Sequence, residues 1–285
     1  MRNHYAGWAL RLLPALGVLW GGAALADDKL VDVGPERVWT ALAQRAGDAL
    51  AGDARRYEGR LSLAGAAPVE VSVDWDEHSG LTRLTWSDAG AAAPQVAGWM
   101  EGVAADAARQ RHRNRYCRGL EPDPRHDHIP EPSIDAATHC GMGTGNFSSA
   151  LLELEKCGDH ETTLRLLSIC SREGHAGGLV RIAQLYEVGS GVPQRPERMA
   201  HFLARAADAG GTGYHAAART LYATALYFGV GTAPDRPRAL ALFRSAAALG
   251  DADAAAFLQT GTHSAWRRLD GSLYRDPDFV AEAAP

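Results

Sequence analysis

Residues 185–192 read Leu-Tyr-Glu-Val-Gly-Ser-Gly-Val, and residues 225–231 read Ala-Leu-Tyr-Phe-Gly-Val-Gly, so the pair Gly189 and Gly191 is answered forty positions later by Gly229 and Gly231. The match runs outward in register. Phe202 aligns with Leu242, Ala206-Ala207 with Ala246-Ala247, and Gly210 with Gly250, so large and small positions recur in order. Self-similarity at a fixed period of this size marks a repeat architecture.

Each unit reads as a helical hairpin. A first helix from about Ala176 to Val188 ends at Gly189, where a left-handed cap suits a residue without a Cβ. A loop through Pro193 and Pro196 starts a second helix, whose Met199, Phe202, Leu203 and Ala206 have the spacing of one buried face. Ala239, Leu242, Phe243 and Ala246 repeat that face. A third first helix begins at Gly250-Asp251-Ala252 and stops near Gln259, and Phe147–Cys157 with Glu161–Arg172 forms a degenerate hairpin expected to cap the N-terminal end.

These residues resemble the Sel-1-like repeat, a relative of the tetratricopeptide repeat. The family pattern is met by Gly174, His175, Ala176, Leu185-Tyr186, Gly189-Ser190-Gly191-Val192, Ala206-Ala207 and Gly210. The second unit departs from it, with extra residues around Gly211-Thr212-Gly213 and Ala225-Leu226 in place of Leu-Tyr. The resemblance covers residues 147–260 and implies an all-α helical-hairpin solenoid, a superhelix that holds another protein on its concave side. One hairpin cannot bury its apolar face alone, so stacked units share a continuous core. With Leu185 and Tyr186 in that core, the concave, partner-binding side is expected to draw on Arg181, Gln184 and Val188, and on Leu221, Thr224 and Phe228 in the next unit.

Residues 27–116 follow a different pattern. Pro35, Val38, Leu42, Ala46, Ala49 and Leu50 predict an amphipathic helix. Three strands follow: a short one at Arg60–Leu63, a half-buried one in which Val69, Val71, Val73 and Trp75 alternate with polar residues, and one with Leu84 and Trp86 on one face. Asp76 to Gly80 form the turn between the last two, and a second helix runs from about Pro94 to Tyr116. The fold class is therefore an α+β domain followed by an all-α repeat domain.

Residues 117–146, with Pro122, Pro124, Pro130 and Pro132 and little periodicity, read as a linker, and residues 261–285 as a C-terminal tail. The four cysteines, Cys117, Cys140, Cys157 and Cys170, allow three pairings, of which locality favours Cys117 with Cys140 and Cys157 with Cys170. At the start, Arg2 and His4, an apolar stretch from Leu12 to Leu25 and the Ala24-Leu25-Ala26 site predict a signal peptide over residues 1–26. Arg11 and Pro14 leave too short an apolar run for a membrane anchor. The mature chain is expected in the periplasm or secreted, where disulfides persist.

Charge and motifs narrow the chemistry. With 29 Lys and Arg against 34 Asp and Glu in 285 residues, the net charge of -5 argues against a general nucleic-acid binder. Arg109, Arg111, Arg113, Arg115 and Arg118 suit a helix C-terminus through its dipole, and Arg111 and Arg113 are also candidates for contact with an acidic partner. His126-Asp127-His128, with His139 and Cys140, contains metal-ligand residue types, but a polar loop beside a disulfide explains them, and no metal is assigned. Asp74, Asp76, His78 and Gly80 depart from a calcium loop and read as a solvated strand face entering its turn. The Gly141–Gly145 run has the wrong context for a phosphate loop, and no motif with an activated nucleophile occurs.

The sequence thus predicts an exported protein–protein interaction module, not an enzyme, with no cofactor. The resemblance implies an envelope scaffold or an immunity protein that neutralises a secreted effector. Its alternative is a cell-wall or β-lactam-binding protein with weak hydrolase activity.

Overall fold

A computed structural model of the chain describes residues 25–109, 140, 151, 154–155, 158–210, 214–268 and 270–281. Five antiparallel strands form the N-terminal sheet: β1 (Leu25–Val31), β2 (Leu50–Asp53), β3 (Glu58–Leu61), β4 (Val69–Asp76) and β5 (Leu81–Ser87), in the order β1-β5-β4-β3-β2. Strict alternation fixes the centre. Val69, Val71, Val73 and Trp75 of β4 and Thr82, Leu84 and Trp86 of β5 are buried, in a register that pairs Val73 with Leu84. Helices α1 (Pro35–Ala46) and α2 (Ala93–Arg109) bring Val38, Leu42, Val96, Met100 and Val103 to the same apolar cluster. The opposite face is polar: Ser72 and Thr85 hydroxyls lie 2.6 Å apart, and Arg60 pairs with Glu70 at 2.8 Å.

The sheet has two strands more than the sequence pattern predicts. In β1, Asp27-Asp28-Lys29 hides the alternation. Leu50, expected in the first helix, starts β2, because Gly47 at φ 51 ends α1 at Ala46 and a single 3-10 turn over Gly47–Ala49 redirects the chain. Of the second expected helix, residues 110–116 lie outside the described residues, as do Arg111, Arg113, the His126 loop and residues 1–24 of the expected signal.

Among the described residues, six helices with given bounds follow: α3 (His160–Arg172), α4 (Ala176–Val188), α5 (Pro196–Asp208), α6 (Tyr214–Phe228), α7 (Arg236–Ala248) and α8 (Ala252–Thr260). Each packs on the next, and α4 also meets α6, an arrangement compatible with stacked helical repeats. The forty-residue register holds bond by bond. The Ser190 N–H donates to the Leu185 carbonyl and the Arg195 N–H to that of Tyr186, while Val230 donates to Ala225 and Asp235 to Leu226. Burial repeats likewise, with Met199, Leu203 and Ala206 matched by Ala239, Phe243 and Ala246. Gly231, at φ 68, is required twice over, since a Cβ there would run into the Pro196 carbonyl of the preceding unit. Asp159, Asp235 and Asp251 cap α3, α7 and α8 by accepting from the backbone three residues on.

Among the described residues, a disulfide joins Cys140 to Cys170, with Cα atoms 5.2 Å apart. This corrects the local pairings favoured from spacing, Cys117 with Cys140 and Cys157 with Cys170. Cys170 is buried on α3 with its Cβ against Gly178 of α4, and Cys140 is buried with it in the helical cluster. Cys117 and Cys157 lie outside the described residues.

The two halves share a polar and apolar seam. Trp75, at the end of β4, is buried in the helical cluster and donates its indole N–H to Ser168 Oγ at 2.8 Å. Glu77, in the turn after β4, is almost fully buried; its carboxylate receives Arg205 Nη1 at 2.8 Å on each oxygen and the Ser171 hydroxyl. Tyr186 Oη donates to Asp74 at 3.0 Å, and Arg195 pairs with Glu58 at 2.7 Å. Asp74 is therefore docked on the helices rather than on a freely solvated strand face. On the α1 side, Arg37 pairs with Glu161 at 3.0 Å and Arg165 with Asp32 at 2.6 Å.

Candidate functional site

The first helices of successive units, α4, α6 and α8, carry the face on which the partner residues were expected. After α8, Gly261 at φ 63 turns the chain back, and strands β6 (Thr262–Arg267) and β7 (Leu273–Arg275) form a two-stranded hairpin that lies on this face. Its anchors are specific. The Trp266 indole N–H donates to the Glu187 carboxylate of α4, and His263 Nδ1 stands 3.1 Å from Thr224 Oγ1 of α6. Tyr274 lies 5.3 Å, ring centre to ring centre, from Phe228 and 5.2 Å from Trp266. Tyr227 donates its hydroxyl to Asp276 at 2.7 Å, and Arg236 closes on both, 3.3 Å from Asp276 and 4.9 Å above the Tyr227 ring. Phe279 completes an aromatic cluster with Phe257 and Tyr227.

Burial sets the electrostatics. It raises the Glu187 carboxyl above the usual range, against the opposing hydrogen bond from Trp266, and it lowers the His263 imidazole against the pull of Asp253 and Asp251. Burial first, then the bond to Asp276, pushes the Tyr227 hydroxyl up to about 12. Asp276 is held low, chiefly by the Tyr227 hydroxyl.

The expected contact residues fall into two groups. Val188 is 68% exposed, while Arg181 and Gln184, two turns and one turn behind it, are bonded to each other at 2.9 Å, with Arg181 also paired to Glu155. Of the three, Val188 is the exposed one; Arg181 and Gln184 are half-buried. Leu221 is half-buried, Phe228 is covered by Tyr274, and Thr224 is fully buried, its hydroxyl donating to the Thr220 carbonyl at 2.9 Å. Thr224 offers nothing to a partner while His263 stands on it. Glu187 and Tyr227 were missed, although they occupy equivalent places in the two units; the aromatic density of the tail, Trp266, Tyr274 and Phe279, was the available signal.

Among the described residues, one constellation has catalytic residue types. His160 Nδ1 lies 3.0 Å from Glu36 and its Nε2 lies 3.3 Å from Ser190 Oγ, the order of a hydroxyl–imidazole–carboxylate relay. A relay also needs donors for the developing oxyanion. The N–H groups of Gly189 and Ser190 both donate to the Leu185 carbonyl to cap α4, so those two donors are committed elsewhere. Here His160 ties α1, α3 and the loop after α4 together. Among the described residues no three His, Cys, Asp or Glu side chains converge as metal ligands, and no helix is long and apolar enough to cross a membrane.

No protein-family model and no curated protein matches the sequence. Among solved structures, the chain is similar to a Sel1 repeat protein from Oxalobacter formigenes, at 24% identity over 43% of this chain and 93% of that one, with a TM-score of 0.34.

Proposed function

We propose that the chain is a protein–protein interaction module, a helical solenoid joined to an α+β domain, whose partner contacts the face of α4 and α6. Arg181, Gln184 and Val188 form one part of the contact, Leu221 and Phe228 border it, and Arg111 and Arg113, which lie outside the described residues, are candidates for an acidic region of the partner. The observation that carries this reading is Val188, an apolar side chain left 68% exposed on the first-helix face beside the half-buried Arg181 and Gln184. The N-terminal leader and the Cys140–Cys170 disulfide support an exported protein in an oxidising compartment. Within that setting, the partner is a secreted effector that the chain neutralises.

Residues 27–285, wild type and Val188→Arg, are to be used as bait in non-reducing envelope and culture-fluid extracts. One stoichiometric protein retained by the wild type and lost with Val188→Arg is the expected result; a partner retained equally by both overturns the assignment of the face.

A further inference from the structure

We propose that residues 262–281 are an exchangeable internal ligand of the α4–α6–α8 face, so that the same face accepts an extended, aromatic-rich segment in trans once the hairpin leaves. This inference rests on the reading of that face as a binding surface and names the chemistry it recognises.

The seat has the features of a recognition site. A half-buried carboxylate, Glu187, accepts an indole N–H; a buried hydroxyl, Tyr227, donates to a carboxylate; Phe228 and Phe257 receive aromatic rings between these points. Aromatic anchors with one polar contact each are the groups that concentrate binding energy at interfaces. Glu187 and Tyr227 are equivalent positions of two units, so the spacing of the anchors is set by the repeat itself.

The occupant, in contrast, is weakly built. Its sheet has two strands, and the pairing holds at Thr262–Arg275 and Arg267–Leu273 with a register shift between them. A two-stranded ribbon is marginal in water without a surface to rest on. Arg267, Arg268, Asp270 and Arg275 keep its outer side exposed and charged. The segment joins the helices through Gly261 alone, whose positive φ and close approach to Phe279 exclude a side chain. The Asp276 N–H closes the hinge on the Gly261 carbonyl at 3.0 Å. A hinge residue at one end, a charged outer side and two specific anchors describe a flap seated on its own receptor.

The probe is a fluorescein-labelled peptide of residues 262–281, titrated against the full chain as wild type, Gly261→Ala and Trp266→Ala, with helical content followed by circular dichroism. Gly261→Ala strains the hinge, and Trp266→Ala removes the Glu187 anchor; both leave the face itself intact. The expected result is saturable one-to-one binding to both variants, about tenfold or more tighter than to wild type, whose own hairpin competes. A peptide carrying Trp266→Ala is expected to bind neither. If both variants keep their helical content and neither binds the peptide more tightly than wild type does, the hairpin is a permanent end-cap and the inference fails. That failure is separable from failure of the interaction reading: a partner captured by wild type and lost with Val188→Arg would still stand.

Discussion

Glu187 and Tyr227 stand at the same position of two successive helical units, and each holds the C-terminal hairpin by one hydrogen bond, Glu187 from the Trp266 indole and Tyr227 to the Asp276 carboxylate. Reversing donor and acceptor at equivalent positions fixes which end of the hairpin lies on which unit. The repeat thus does more than bury a core; its period spaces two polar anchors on one face.

The seam between the halves concentrates in Glu77 and Arg205. Glu77 is buried and Arg205 remains one-third exposed, so this pair, one Arg205 nitrogen shared between both carboxylate oxygens, is only partly screened by water. Glu77→Gln is expected to cost about 2 kcal/mol, the low end for breaking a buried charged pair, because the exposed side of Arg205 can be rehydrated. Urea denaturation checks this, and a loss below about 0.5 kcal/mol would show that the seam does not depend on the pair.

Gly231 and Gly250 both have positive φ, 68 and 90, but only Gly231 approaches a neighbouring carbonyl. Gly250→Ala carries backbone strain alone and is expected to cost about 1 kcal/mol; Gly231→Ala adds a clash with Pro196 that backbone cannot easily relieve, for about 2 kcal/mol or more. Thermal melts of the two variants should differ in that order. Equal losses would mean that the contact between α5 and the loop after α6 is looser than described.

These two positions also show how much was legible from the sequence. The glycine pairs and the small residues of α5 and α7 announced the repeat because backbone geometry at a left-handed cap admits few alternatives. Val69 to Trp75 announced β4 for the same reason of strict alternation. β1 was hidden by Asp27, Asp28 and Lys29, and β2 by Leu50, whose apolar spacing fits a helix continued past Gly47. The seam at Trp75, Glu77 and Arg205 and the seat of Trp266 on Glu187 join residues far apart in the chain, and no local pattern carries such pairings. The exposed Val188 was read from the repeat register; the burial of Thr224 depended on a tail with no periodicity.

His263 links the hairpin to pH. Its imidazole is lowered from 6.5 by burial, so the folded state favours the neutral ring and the unfolded chain binds the extra proton. Its contribution is therefore present above 6.5 and is lost as pH falls toward the depressed value. Glu187, raised by burial, acts in the opposite sense, since its protonation relieves a desolvation cost. His201, also lowered by burial and by Arg198 and Arg205, adds to the loss in acid. The His263 share is isolated by comparing wild type with His263→Gln: between about pH 7.5 and about 5.5 the wild type should lose more stability than the variant. Parallel melting curves across that range would contradict the buried, neutral ring.

Ser190 tests the reading of its hydrogen-bond chain. With the Gly189 and Ser190 N–H groups committed to Leu185, Ser190 should not be labelled by a fluorophosphonate probe, and Ser190→Ala should leave binding of the partner unchanged. Stoichiometric labelling abolished by His160→Ala would instead establish an active relay and a hydrolytic role.

Hydrogen exchange on the full chain, read by mass over residues 214–228 and 262–281, tests the seating of the hairpin most directly. The wild type is predicted to protect both segments, and Trp266→Ala to release residues 262–281 while residues 214–228 of α6 and residues 69–87 of β4 and β5 keep their protection. Exchange of residues 262–281 at the rate of an unstructured chain in the wild type would contradict the account.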